Sequence, residues 1–77
     1  MIWLSKRRSA LADEFNRSYV DWREACAEVR AAYERWASCP PRLRARRFAT
    51  YCAALNREEH AANIHSDWAR RASAVAR

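Results

Sequence analysis

Glycine is missing altogether from these 77 residues. Phosphate-cradling loops, dinucleotide-binding turns and nucleophile elbows all need glycine where backbone meets a ligand or turns sharply. Their absence argues against an enzyme, and none is expected. Two-residue β-hairpin turns of the Asn-Gly type are absent as well. Cysteine occurs three times, an odd number, and never as Cys-x-x-Cys. That disfavours both a secreted disulfide framework and a thiolate zinc site. Proline is confined to the adjacent pair Pro40-Pro41. The longest apolar run, Tyr51 to Leu55, is five residues, against the roughly 20 a spanning helix needs. Met1-Ile2-Trp3-Leu4 precedes Lys6-Arg7-Arg8, the reverse of a signal peptide. A cytoplasmic protein with no membrane partner is expected.

Acidic residues are scarce in one half only. Residues 1–38 hold seven basic and six acidic groups, and residues 39–77 hold eight and three, giving a net charge of +6. Fourteen of the fifteen basic residues are arginine, a bias that genome composition alone can produce. What is plentiful is apolar: 51% of residues are hydrophobic and 12% aromatic, including four tryptophans. That is the composition of a folded chain rather than a disordered one. At this length there is room for one domain, spanning 1–77, and such a domain is marginal unless stapled or oligomeric.

Positions 4, 11, 15, 18, 22, 25, 29, 32 and 36 follow alternating steps of three and four. They hold Leu4, Leu11, Phe15, Ser18, Trp22, Ala25, Val29, Ala32 and Trp36. Of these only Ser18 is polar, although the skipped position 8 of the same series is Arg8, and this is the seam of an amphipathic helix over about 5–37. A neighbouring column at steps of seven (Tyr19, Cys26, Tyr33) makes the stripe wider than a two-stranded coil requires. Asp13, Arg17 and Asp21, and Arg30 with Glu34, have the i, i+4 spacing of a solvated face. Ser5 or Ser9 is a candidate N-cap.

Pro40 ends the helix and pushes Cys39 out of the α region, while Pro41 suits the first turn of a new one. With a turn at 38–41, a second helix over about 42–76 must fold back on the first. The fold class is therefore all-α: two long antiparallel helices, a helical hairpin, expected to dimerise into a four-helix bundle. A turn centred near 39.5 pairs residues whose numbers sum to about 79. That sets Leu4 with Val75, Leu11 with Trp68, Phe15 with Ile64, Ala25 with Ala54 and Trp36 with Leu43. Phe48, Cys52 and Leu55 fit better at 81, which helical drift against a strict heptad would produce.

Arg42, Arg44, Arg46 and Arg47 lie just past the turn, with Arg35 just before it. They are the candidate phosphate contacts if the protein binds nucleic acid, although a solvated arginine-rich surface is the commoner outcome. Tyr51, Glu58, His65 and Ala72 form a second-helix column facing the interior. The Glu-x-x-His spacing of bundle metal sites is absent, so a register-setting or pH-sensitive polar contact is expected and neither metal nor cofactor. Cys26 and Cys52 should behave as small buried hydrophobes, and Cys39 should be exposed. Trp36-Ala37-Ser38 resembles, in position and arm length, the Trp-x-Gly turn of the WXG100 family of small secreted helical hairpins. Ser38 replaces the glycine and the family's Tyr-x-x-x-Asp/Glu signal is absent near residue 77, so the likeness implies topology and no function.

These features lead to a small non-enzymatic protein–protein interaction module, expected to act as a homodimeric regulator or adaptor. Its anchors would be Phe15, Tyr19, Trp22, Tyr33, Trp36 and Trp68, since large aromatics dominate cores and interfaces. The partner would be a second copy, another protein, or both. The alternative is a basic nucleic-acid-binding protein that uses the arginine tip.

Overall fold

The computed structural model describes residues 2–76, and the side chains of residues 6–75. Helix α1 runs Ile2–Ala37, a single 3₁₀ turn covers Pro41–Leu43, and helix α2 runs Arg44–Ala76. No strand occurs among the described residues. The two helices pack against one another along their length as a rod 62 Å long and about 14 Å wide. The hairpin is as expected. Ser5 and Ser9, however, lie inside α1 rather than before it, so neither caps it.

The turn is built as the prolines dictate. Ser38 closes α1 by donating both its backbone N–H (3.2 Å) and its hydroxyl (2.8 Å) to the Glu34 carbonyl. Pro40 is extended (φ −63°, ψ 154°), and its carbonyl accepts the Leu43 N–H at 3.0 Å. Cys39 is half-buried instead of exposed, because its thiol donates to the Trp36 carbonyl at 3.2 Å. With no glycine available, every residue of the turn keeps a negative φ. The reversal therefore needs several residues and a 3₁₀ turn.

That longer reversal shifts the register by about one helical turn from the expected one. Ser18 meets His65, numbers that sum to 83, and Phe15 packs on the His65 ring rather than on Ile64. Trp36 meets Phe48 and Tyr51 rather than Leu43. Leu4 lies outside the residues whose side chains are described, so its pairing with Val75 is not addressed. Two helices in register about 83 set large residues level with small ones: His65 with Ser18, Glu58 with Ala25, Tyr51 with Ala32, Val29 with Ala54. The small partners are the buried ones: Ala54 is 1% exposed, Ala32 3%, Ser18 4% and Ala25 8%. The large side chains splay over the sides of the seam and remain half-buried. The core of the hairpin is thus a line of small residues roofed by rings.

Candidate interaction surface

Two ring clusters sit along the seam. Near the turn, Trp36 stacks on Tyr51 (5.6 Å, 8°) and packs on Phe48 at 5.1 Å, with Tyr33 edge-on to both Trp36 and Tyr51. At mid-rod, His65 is enclosed by Phe15, Tyr19 and Trp22, stacking on Trp22 within 11° of parallel.

The mid-rod cluster also carries the polar contacts between the helices. The Trp22 indole Nε1–H donates to Glu58 Oε2 at 2.8 Å. The buried Ser18 Oγ lies 2.8 Å from the Phe15 carbonyl and 2.9 Å from His65 Nδ1. A carbonyl can only accept, so the single hydroxyl proton of Ser18 goes there. His65 must then donate from Nδ1–H into the Ser18 lone pair. Glu58 and His65, one heptad apart on α2, are therefore interhelical polar contacts, as their column position suggested. Among the described residues no group of three or more His, Cys, Asp or Glu could hold a metal ion.

Beside the seam, the two flanks of the hairpin differ in kind. In an antiparallel pair each residue just beyond the seam meets the equivalent column of the other helix. One flank consists of Glu14, Asp21, Glu28 and Arg35 on α1 with Thr50, Arg57, Ile64 and Arg71 on α2. Here Arg57 Nε bonds Glu28 Oε2 at 3.3 Å across the groove, and Arg71 lies 4.6 Å over the Trp68 ring. The Arg57–Glu28 pair ties the helices together while staying in water, whereas Arg71 and Trp68 are i, i+3 neighbours on α2.

The opposite flank has no charge at all. It consists of Ala12, Tyr19, Cys26 and Tyr33 on α1, facing Ala69, Ala62, Leu55 and Phe48 on α2. Its large members are open to solvent: Tyr33 is 49% exposed, Tyr19 and Phe48 46%, and Leu55 38%. Facing members of this flank have numbers that sum to 81. The deviation of Phe48 and Leu55 from the expected register is thus a property of this column and not helical drift.

The structure divides the six expected anchors. Phe15, Trp22, Trp36 and Trp68 are half-buried along the seam, where they roof the hairpin's own core, and only Tyr19 and Tyr33 stand on the open flank. Phe48 and Leu55 complete that flank and were not among the anchors. Their one signal was the 81 register.

At the turn end Arg42, Arg44 and Arg46 are exposed, whereas Arg47 lies over the seam, half-buried, with its Nε out of water and without a hydrogen-bond partner. Among the described residues no ion pair engages Arg35, Arg42, Arg44, Arg46 or Arg47, whereas Arg17, Arg57 and Arg70 are each ion-paired. Arg17 pairs with Glu14 at 3.0 Å, not with Asp13 or Asp21 as the spacing suggested. No acidic residue occupies the first turn of α2, and no side chain caps the 3₁₀ turn that leads into it. The arginines thus crowd the positive end of a helix dipole, where cations are unfavourable. No helix among the described residues is long and apolar enough to cross a membrane.

Fold and surface together define an antiparallel helical hairpin with one charged and one apolar flank. Comparison with protein-family models, curated proteins and solved structures finds no match.

Proposed function

We propose that the chain is a non-enzymatic helical interaction module that homodimerises through its apolar flank into a four-helix bundle and works as a regulator or adaptor. The uncharged column Tyr19–Cys26–Tyr33 facing Leu55–Phe48 carries this reading. Surface area supports it. A folded monomer of 9.0 kDa exposes about 4,900 Å² by the usual scaling, and this hairpin exposes 6171 Å². The excess, roughly 1,300 Å² per chain, is more than the ~800 Å² that each partner buries in a standard interface. The test is molar mass in solution by size exclusion with light scattering. A particle of twice the 9.0 kDa chain mass is expected, reduced to one chain by Leu55→Glu. A well-folded monomer at high micromolar concentration would reject the proposal.

A second reading, nucleic-acid binding through Arg42, Arg44 and Arg46, is favoured by their unpaired state at the uncapped start of α2. Salt distinguishes it, since phosphate-driven binding weakens steeply as salt rises and an apolar helix interface does not.

A further inference from the structure

We propose that the second copy covering the apolar flank is related to the first by a two-fold axis parallel to the rod. Helix α1 of one hairpin then packs on α2 of the other, and both Cys39-Pro40-Pro41 turns lie at the same pole. This rests on the homodimer proposed above and adds its geometry.

A symmetric face-to-face pair of hairpins has two axes to choose from. An axis along the rod places α1 against the partner's α2 at unchanged level. An axis across the rod places α1 against the partner's α1, running oppositely, with the turns at opposite ends. The side chains discriminate between them.

With the axis along the rod, the flank's own register carries over between copies. Tyr19 comes level with Ala62 of the second copy, Cys26 with Leu55, and Ala12 with Ala69. Three of the four levels therefore set a large residue against a small one or two small ones, the condition for close packing. Tyr33 and Phe48 form the one aromatic level, continuing the ring cluster beside the turn.

The outer edges agree. The column bordering the flank holds Asn16, Arg23 and Arg30 on α1, and Ser66, Glu59 and Cys52 on α2, all at one register. Between copies Asn16 would meet Ser66, Arg23 would meet Glu59 and Arg30 would meet Cys52. One level is an ion pair and none sets like charges together. With the axis across the rod and the stripes centred on Cys26, Arg23 of each copy faces Arg30 of the other. That is two arginine–arginine contacts, which like-charge juxtaposition disfavours.

A consequence is that the exposed arginines of both turns gather at one pole of the bundle, so any polyanion held there would be held by two copies at once.

The test is double electron–electron resonance on the dimer, spin-labelled through Arg42→Cys in a chain carrying Cys26→Ala, Cys39→Ser and Cys52→Ala. Light scattering and circular dichroism first establish mass and helicity. Neighbouring helices lie 8–10 Å apart, so labels at one pole are expected within about 35 Å. A distance of about 45 Å or more, as turns at opposite ends with the stripes centred on Cys26 require at about 1.5 Å per residue, would overturn the geometry and keep the dimer, and a monomeric mass would overturn both. The unlabelled chain gives an independent answer if the quadruple variant does not fold. Arg23→Glu should weaken dimerisation on the order of threefold to tenfold, and adding Glu59→Arg should restore it. Tighter dimerisation of Arg23→Glu would instead favour the axis across the rod.

Discussion

Removing the Glu58 carboxylate should destabilise the hairpin only while Trp22 is there to miss it. The indole N–H donates to Glu58 at 2.8 Å beside a stacked His65 ring, and both partners are half-buried. A hydrogen bond to a charged acceptor contributes about 1.5–3 kcal/mol when broken from one side. Glu58 is half-buried, so the low end of that range or slightly less applies, and Glu58→Ala should cost about 1–2 kcal/mol. A chain of this size has only about 3–5 kcal/mol of stability to lose. Glu58→Gln keeps an acceptor and should lose about half as much. In a Trp22→Phe background, which removes the donor and retains a ring over His65, Glu58→Ala should cost less than about 0.5 kcal/mol. The coupling between the two sites is then about 1 kcal/mol. Urea denaturation followed by circular dichroism measures all four variants, at one fixed protein concentration because association would shift the midpoint by mass action. Equal cost of Glu58→Ala in both backgrounds would show that the contact contributes nothing of its own.

Three further outcomes are expected. Leu55→Glu, on the apolar flank, should abolish self-association, whereas Ile64→Glu, similarly exposed but on the charged flank, should leave the mass unchanged by light scattering. Ala54→Leu should overfill the tightest point of the seam, where Ala54 is 1% exposed, and cost about 1–3 kcal/mol in the same denaturation assay. Arg44→Glu with Arg46→Glu should raise stability by about 0.5–2 kcal/mol, since it exchanges cations for anions at a helix N-terminus. The same pair should abolish any salt-sensitive binding of labelled single- or double-stranded DNA. A destabilised double variant would mean that these arginines serve the fold.

The fold was legible because two signals agreed: a seam of period 3.5 that only Arg8 and Ser18 interrupt, and a proline pair at the midpoint that forces a reversal. The polar Ser18 of the seam proved to be an interhelical contact, bonded to His65 at 2.9 Å. Register was less legible. Counting from the proline pair assumed a tight reversal centred at 39.5. The turn has no glycine and no residue at positive φ, and the 3₁₀ turn Pro41–Leu43 moves the pivot towards α2. The same four-residue offset sets Ser18, rather than Phe15, level with His65, and Phe15 reaches that ring from the next turn of α1. Side-chain partners on a helix surface are decided by which of several i+3 and i+4 neighbours is better placed, which spacing alone does not rank; Arg17 choosing Glu14 over Asp13 and Asp21 is an instance.

The division of the aromatic residues follows from that register. Once α1 and α2 are set at 83, the seam contains Phe15, Trp22, Trp36 and Trp68 whatever else the chain does, because each lies opposite a position on the other helix. Tyr19, Tyr33 and Phe48 lie one column to the side: each touches a seam ring along one edge, Tyr19 on His65, Tyr33 on Tyr51 and Phe48 on Trp36, yet leaves close to half its surface in solvent, and Leu55 is 38% exposed. A monomer gains little by keeping apolar residues there, and the charged flank shows the alternative: Glu28 and Arg57 occupy the corresponding columns on the other side and hold the helices together in water. Two flanks with identical geometry and opposite chemistry are best explained by different surroundings. In the proposed dimer one meets solvent and the other meets a surface as apolar as itself, which a second copy would supply at the same length and register.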